Sequence, residues 1–350
     1  MSARGGRANA AERFSPTGSR RAVQFPFVWG MIYSSGRRAE TDVSEGGRPT
    51  LQEKWTLERE KKGSQPVLAI CYDFDKTLSP DNMQAQGYIQ SVGFDLAERF
   101  WQESNRTAQE NDMDTNLAYM YKMQREARGK VLFTREKLIE YGRKVKFFRG
   151  VPSWFGRINA YGSKRGVCVE HYIISSGLKE MIEGTKIARD GVFKKIYASS
   201  FMYDDEGVAL WPAQAVNYTN KTQFLFRISK GVLDVNDPGV NDHFAAEDLR
   251  VPFRNIAYIG DSDTDIPCMK LVNSYGGHAI GVYPPDAGPS KVYGLMNDDR
   301  IRYFAPADYS EGKKIDRIVK AIIDKTAAFE VLEALHVSDA QAAAVQPRAD

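Results

Sequence analysis

The stretch VLAICYDFDKTLSP, residues 67–80, decides how this chain is read. Six mostly apolar residues, Val67 to Tyr72, lead straight into two aspartates two positions apart, Asp73 and Asp75, with Thr77 close behind. The apolar run is short and β-leaning, which predicts a buried strand rather than a core helix. Residues i and i+2 of an extended segment point to the same side, so Asp73 and Asp75 can face one pocket. Two carboxylates there repel each other unless a cation or a shared proton relieves them.

The same pattern recurs along the chain. VCVEHYIIS (167–175) ends in Ser175-Ser176-Gly177, and a helix is expected to open at Gly177. NIAYIGD (255–261) ends in Gly260-Asp261-Ser262-Asp263-Thr264-Asp265, and HAIGVY (278–283) reads as a further strand. FKKIYASSFMYD (193–204) and VALW (208–211) predict a short antiparallel pair. Lys221 begins a helix with Phe224, Leu225 and Ile228 on one face, and a last helix carries Ile315, Ile318, Val319 and Ile322 at helical spacing. Strands alternating with helices predict an α/β fold: a Rossmann-like, mostly parallel sheet flanked by helices, with ligands at the carboxyl ends of the strands.

Residues 82–149 break the alternation. They are helical and aromatic in pattern, an insertion bounded by Pro80 on one side and by Gly150 and Pro152 on the other. The α/β core is therefore expected over 65–81 and 150–335. Residues 1–64, rich in Arg, Gly, Ser and Glu without periodicity, and the Ala-rich residues 336–350 read as disordered tails.

Composition narrows the function classes. With 350 residues, 42% of them hydrophobic, the chain can build one good core and a smaller second domain. Its 48 basic and 45 acidic residues nearly balance, which gives no sign of nucleic-acid or membrane binding. Cys71, Cys168 and Cys268 are far apart and unpaired in sequence, as expected of buried thiols in a reducing, cytoplasmic setting. No apolar run reaches the roughly 18–20 residues needed to span a bilayer. SRR (19–21) before AVQFPFVWGMIY (22–33) is faintly like a twin-arginine signal, but no cleavage site follows and export is not expected. His171, His243, His278 and His336 lack ligand spacing and read as structural or surface residues. Trp101, Tyr119, Tyr121 and Trp154 read as ordinary packing rather than a substrate-stacking set.

Asp73, Asp75, Asp261 and Asp265 thus gather four acids at two strand ends. A hard divalent cation with oxygen ligands resolves their repulsion, and Mg²⁺ suits a site that also binds phosphate. Ser175, the amides from Gly177 onward and Lys221 supply donors and positive charge, an anion cradle. Lys230 competes with Lys221, although it falls near the end of the same helix. Acids, a metal and an anion cradle together point to phosphoryl chemistry.

With these motifs in order, the chain resembles the haloacid dehalogenase-like hydrolases, particularly their phosphoserine-phosphatase-like branch. DFDKT matches the family's DxDxT, IISSG its second strand end, Lys221 in TNKTQF its lysine, and GDSDTD its GDxxxD; the resemblance covers roughly residues 66–325. It implies an Mg²⁺-dependent phosphatase acting on a small phosphorylated molecule. Asp73 would attack phosphorus and form an aspartyl-phosphate, while Asp75 would serve as acid and then base. Mg²⁺ would be held by Asp73, the backbone carbonyl of Asp75 and Asp261, with Asp265 holding the metal's water shell or orienting Lys221. Ser175, Gly177 and Lys221 would bind the phosphate. The insertion would be the family's helical cap. Dehalogenases lack the second aspartate, so Asp75 argues against dehalogenation. Phosphotransfer to an acceptor other than water, and a non-catalytic binding or regulatory role, are the alternatives.

Overall fold

A computed structural model describes residues 59–345. The expected tail over 1–58 and the export-like stretch 19–33 lie outside the described residues, as do residues 346–350. Seven strands form one sheet: β1 (Val67–Tyr72), β2 (Cys168–Leu178), β3 (Lys195–Tyr203), β4 (Ala209–Gln214), β5 (Ile256–Gly260), β6 (His278–Tyr283) and β7 (Tyr303–Pro306). Their order across the sheet is β4-β3-β2-β1-β5-β6-β7, all parallel except β4, which pairs antiparallel with β3. The helices are α1 (Tyr88–Ser91), α2 (Ala97–Glu110), α3 (Thr115–Ala127), α4 (Arg135–Gly142), α5 (Val151–Lys164), α6 (Lys179–Gly184), α7 (Lys186–Arg189), α8 (Thr222–Lys230), α9 (Ile266–Ser274), α10 (Ser290–Asn297) and α11 (Lys314–Val345).

β1 lies in the middle of the sheet, and its apolar run is explained by burial on both faces. Leu68, Ile70 and Tyr72 point into one core with Trp154 and Phe155 of α5 and Ile315, Val319 and Ile323 of α11. Ala69 and Cys71 point into the other, with Phe224 and Leu225 of α8 and Cys268 and Met269 of α9. Between β1 and α5 the chain forms only helices, α1 to α4 with a 3₁₀ turn at Met83–Ala85.

Three features differ from the sequence-based expectation. β2 continues through Leu178 and α6 opens at Lys179, so Gly177 does not begin a helix. The pairing of β2 with β3 shifts between Ser175 and Leu178, and this irregularity absorbs Ser176 and Gly177 into the strand end. Residues 336–345 are helical, because α11 runs on to Val345 and the alanines there favour helix even where they are exposed. Residues 59–64, expected within a tail, begin with a tie to the core. Arg59 forms a two-pronged ion pair with Asp237 at 2.7 Å, and Glu60 pairs with Arg250 at 2.7 Å. Among the described residues no helix is long and apolar enough to cross a membrane.

Candidate active site

Sheet register brings the acids together. Tyr72 lies opposite Ile259, and the Asp73 amide extends the ladder by donating to the Ile259 carbonyl at 2.9 Å. The ends of β1 and β5 therefore emerge side by side, with Asp73 beside the 260–265 turn. On the other flank Tyr72 lies opposite Ile173, which brings Ser175 level with the same turn. After β1 the chain bends sharply: the Phe74 carbonyl accepts from the amides of Thr77, Leu78 and Ser79, and Lys76 takes a left-handed conformation with φ 59°. That bend sends the chain into the helical insertion and leaves Asp75 at the mouth of a cleft.

The cleft measures about 260 Å³ and is walled on the sheet side by Asp73, Asp75, Ser175, Ser176, Gly177 and Asp261. Carboxylate oxygens of Asp73, Asp261 and Asp265 all lie within 4.8 Å of one another. Lys221 is completely buried, and its ammonium donates to Asp73 Oδ1 at 3.0 Å and to Asp265 Oδ1 at 2.8 Å. It closes a 3₁₀ turn (Tyr218–Lys221) ahead of α8, as a lysine at a helix start should. Lys230, the competing candidate, is instead at the end of α8 and donates to the carbonyls of Val240 and Asp242. A larger groove, about 890 Å³, lies near Pro66 and Gly166, before the starts of β1 and β2, away from these acids.

Asp265 is the most heavily bonded of the acids. Oδ1 accepts from Lys221 and from the Tyr258 hydroxyl at 2.8 Å, and Oδ2 accepts from the Ser262 hydroxyl and the amides of Asp261 and Ser262. Five donors more than fill the roughly four acceptor sites of one carboxylate. Of the two parts expected of it, orienting Lys221 matches this geometry. Burial works to raise its pKa, but the Lys221 charge and these hydrogen bonds outweigh that and hold the carboxyl below the ordinary range.

The other acids are less well compensated. Burial raises Asp73 to about 6 despite the opposing pull of Lys221. Burial, then the charges of Asp265 and Asp73, push Asp261 up to about 8. Burial and the Asp73 charge raise Asp75 well above the carboxylate range. Four acids thus share one buried ammonium, and this oxygen-rich, cation-poor cluster suits a hard divalent ion such as Mg²⁺. Asp75 is turned by a second contact: its Oδ1 accepts from the Met83 amide at 2.8 Å, leaving Oδ2 as its free oxygen.

Ser175 is buried, and its hydroxyl oxygen accepts from the Gly177 amide at 3.1 Å. The hydroxyl hydrogen is thereby left to donate. Gly177 is closely approached: a Cβ there would sit 2.3 Å from the flexible Met83 methyl, which would have to move, and 3.1 Å from Asp75 Oδ2. All seven site residues expected from the sequence therefore converge, although Gly177 spends its amide on Ser175 rather than presenting it at a helix start.

The sequence reading missed the opposite wall. Asn82, Gln84, Trp101, Asn116 and Tyr119 line the cleft from the insertion, and Lys76 and Lys291 from the core. Trp101 and Tyr119 were expected to be packing residues only; they pack edge to face at 5.8 Å and also form cleft wall. Trp154 is buried packing as expected, and Tyr121 is exposed. Thr77 is buried with its hydroxyl 3.4 Å from Asp261, and Tyr309 donates to the Thr77 carbonyl at 2.9 Å. Thr77 is marked by its place in DFDKT, whereas no local pattern marks Asn82, Gln84 or Asn116, whose placement depends on contacts made across long sequence separations.

A family model described as haloacid dehalogenase-like hydrolase matches residues 70–270. An uncharacterized protein of Borreliella burgdorferi is 26% identical over 275 residues, covering 71% of this chain and 94% of that protein. A crystal structure of a HAD family hydrolase from Salmonella enterica subsp. enterica serovar Typhi superposes with a TM-score of 0.47 at 15% identity, covering 75% of this chain and 73% of that one. A substrate-bound phosphoserine phosphatase complex gives a TM-score of 0.47 at 14% identity, covering 74% of this chain and 99% of that one.

Proposed function

The chain belongs to the haloacid dehalogenase-like hydrolases, and on that premise we propose that it is a phosphatase that hydrolyses a small phosphomonoester through an aspartyl-phosphate. The observation that carries this reading is the convergence of Asp73, Asp75, Ser175 and Asp261 at three adjoining strand ends around one cleft, with the buried Lys221 ammonium bonded to Asp73.

Asp73 is the nucleophile. Its carboxylate is held by Lys221, and its attack on phosphorus displaces the alcohol. Asp75, fixed through Oδ1, gives a proton from Oδ2 to the leaving oxygen and then takes one from the water that hydrolyses the aspartyl-phosphate. The free hydroxyl hydrogen of Ser175 and the Lys221 ammonium grip phosphoryl oxygens, and Lys221 screens Asp73 from the substrate's charge. Asp265 keeps Lys221 in place. The carboxylates of Asp73 and Asp261 and the main-chain carbonyl of Asp75 would hold Mg²⁺, which supplies charge neutralisation at the phosphoryl oxygens. Helices α1 to α4 act as a cap that limits water and selects the alcohol.

The test is turnover of p-nitrophenyl phosphate. Activity should require Mg²⁺, be abolished by EDTA, and fall at least about a thousandfold in Asp73→Asn. Metal-independent turnover, or a fully active Asp73→Asn, would overturn the reading. Release of all phosphorus as inorganic phosphate in the presence of alcohol acceptors would separate hydrolysis from phosphotransfer.

A further inference from the structure

We propose that the cleft takes phosphomonoesters whose alcohol part is uncharged and hydroxylated, of the sugar or polyol class, and turns away those whose alcohol carries charge; this rests on the phosphatase reading above. The charged groups of the cleft all belong to the core: Asp73, Asp75, Lys76, Asp261 and Lys291. A phosphoryl group attacked by Asp73 places its leaving oxygen on the opposite side, toward the insertion. That wall contains amides, an indole and a phenol, and no ionisable carboxylate or cation.

Several polar atoms around the cleft are shielded from solvent yet have no partner among the described residues. Gln84 is 1% exposed, and its Oε1 has no partner among the described residues. Asn116 is 7% exposed, and its Nδ2 donates to the Val216 carbonyl at 2.6 Å, which fixes the amide and leaves Oδ1 as an acceptor. Trp101 Nε1 and Ser176 Oγ also lack partners among the described residues. The Tyr119 hydroxyl is committed to the Ser176 carbonyl at 2.7 Å, so its contribution is the ring, packed against Trp101.

A hydroxyl both donates and accepts, so a hydroxylated carbon chain or ring can satisfy a mixed set of amide oxygen, indole N–H and serine hydroxyl. Its C–H faces can lie against the Trp101 and Tyr119 rings. An ammonium or carboxylate against this wall would lose water and meet no counter-charge from the insertion. The alcohol part of phosphoserine carries both.

The experiment measures kcat/KM with Mg²⁺ for glycerol 3-phosphate, ribose 5-phosphate and glucose 6-phosphate, against phosphoserine, phosphoethanolamine and adenosine monophosphate. The best neutral polyol ester should exceed both charged esters by at least about tenfold. Equal or better turnover of either charged ester, or adenosine monophosphate outranking every sugar phosphate, overturns the inference. If p-nitrophenyl phosphate is turned over while a charged ester is preferred, the inference alone fails. If p-nitrophenyl phosphate is not turned over either, the phosphatase reading fails with it. A near-isosteric variant gives a second reading: Asn116→Asp should shift the kcat/KM ratio of phosphoethanolamine to ribose 5-phosphate upward by at least about tenfold, and an unchanged ratio in the folded variant counts against the proposal.

Discussion

Lys221 stands between two buried carboxylates, and both sides of that arrangement have consequences. Its ammonium is wholly out of water, a state tolerated because Asp73 and Asp265 each accept from it within 3.0 Å. Removing the cation leaves two acids facing each other. Lys221→Met should therefore cost about 3–5 kcal/mol of stability, read by urea unfolding, and reduce p-nitrophenyl phosphate turnover by about a thousandfold or more. Lys230→Met is the contrasting change. Lys230 donates to the carbonyls of Val240 and Asp242 and lies 5.2 Å over the Phe244 ring, away from the acids, so this variant should keep its turnover within about twofold while losing at most about 1–2 kcal/mol. The reverse result, with Lys230→Met inactive and Lys221→Met active, would reassign the lysine. Sequence spacing alone left both lysines open, and the geometry separates them because only Lys221 precedes its helix and faces β1.

Two packing arrangements tie the elements that carry this site. Helix α4 of the insertion crosses α6 of the core where Gly142 and Gly184 meet. A Cβ on Gly142 would lie 1.9 Å from the Met181 carbonyl oxygen, and one on Gly184 would lie 2.1 Å from that of Ile139. Only backbone fits there, so Gly142→Ala or Gly184→Ala should destabilise the protein by about 1–3 kcal/mol or more, seen as a lower urea midpoint. Unchanged midpoints would mean that the helices can part at little cost. The second arrangement clamps α5 to the sheet. Trp154 donates to the Tyr72 hydroxyl at 2.8 Å, Tyr72 bonds His171 Nδ1 at 3.0 Å, and His171 Nε2 meets Asn159 Oδ1 at 2.8 Å. A neutral imidazole with its proton on Nε2 satisfies every member of this chain. Burial lowers the His171 pKa from 6.5 to about 3. The unfolded chain therefore binds the extra proton first as pH falls. The contribution is fully present above about 6.5 and is lost as pH falls toward about 3, with a slope of up to about 1.4 kcal/mol per pH unit. His171→Gln should be less stable at pH 7 yet show a shallower acid decline, measured by urea unfolding at pH 7, 5 and 4. An equal slope in the two proteins would remove His171 from the account.

At the scale of the molecule, the sheet and its acidic edge were legible because local pattern and chemistry coincide there. A strand such as β1 carries its burial in its composition, and Asp73, Asp75, Asp261 and Asp265 sit where those runs end. The rest depended on distant partners. β7 is four residues long and offers no period to read, α11 outlasts its buried face, and Gln84 and Asn116 acquire meaning only when the insertion folds back over the sheet. The same acidic edge should make the fold's stability depend on cations. Asp261 has its pKa raised from 3.8 to about 8 by burial and by Asp265 and Asp73. A raised carboxyl contributes stability that is fully present below the unfolded value near 3.8 and is lost as pH rises toward about 8. In metal-free protein (EDTA) the Asp261 contribution should accordingly be lost between pH 4 and pH 8, against the opposite contribution of His171. Asp261→Asn, which cannot ionise, should exceed the parent by about 2 kcal/mol or more at pH 8 and match it near pH 4. If the folded parent holds Mg²⁺ through Asp261, Mg²⁺ should narrow or reverse this gap at pH 8, because the variant has lost a ligand; saturation at a hundred times Kd is worth about 2.7 kcal/mol. Thermal unfolding of both proteins, with EDTA and with Mg²⁺, reads all four corners of this comparison. A variant that is less stable than the parent in EDTA at pH 8 would show that Asp261 is not under charge strain, and an equal Mg²⁺ shift in both proteins would show that it does not hold the ion.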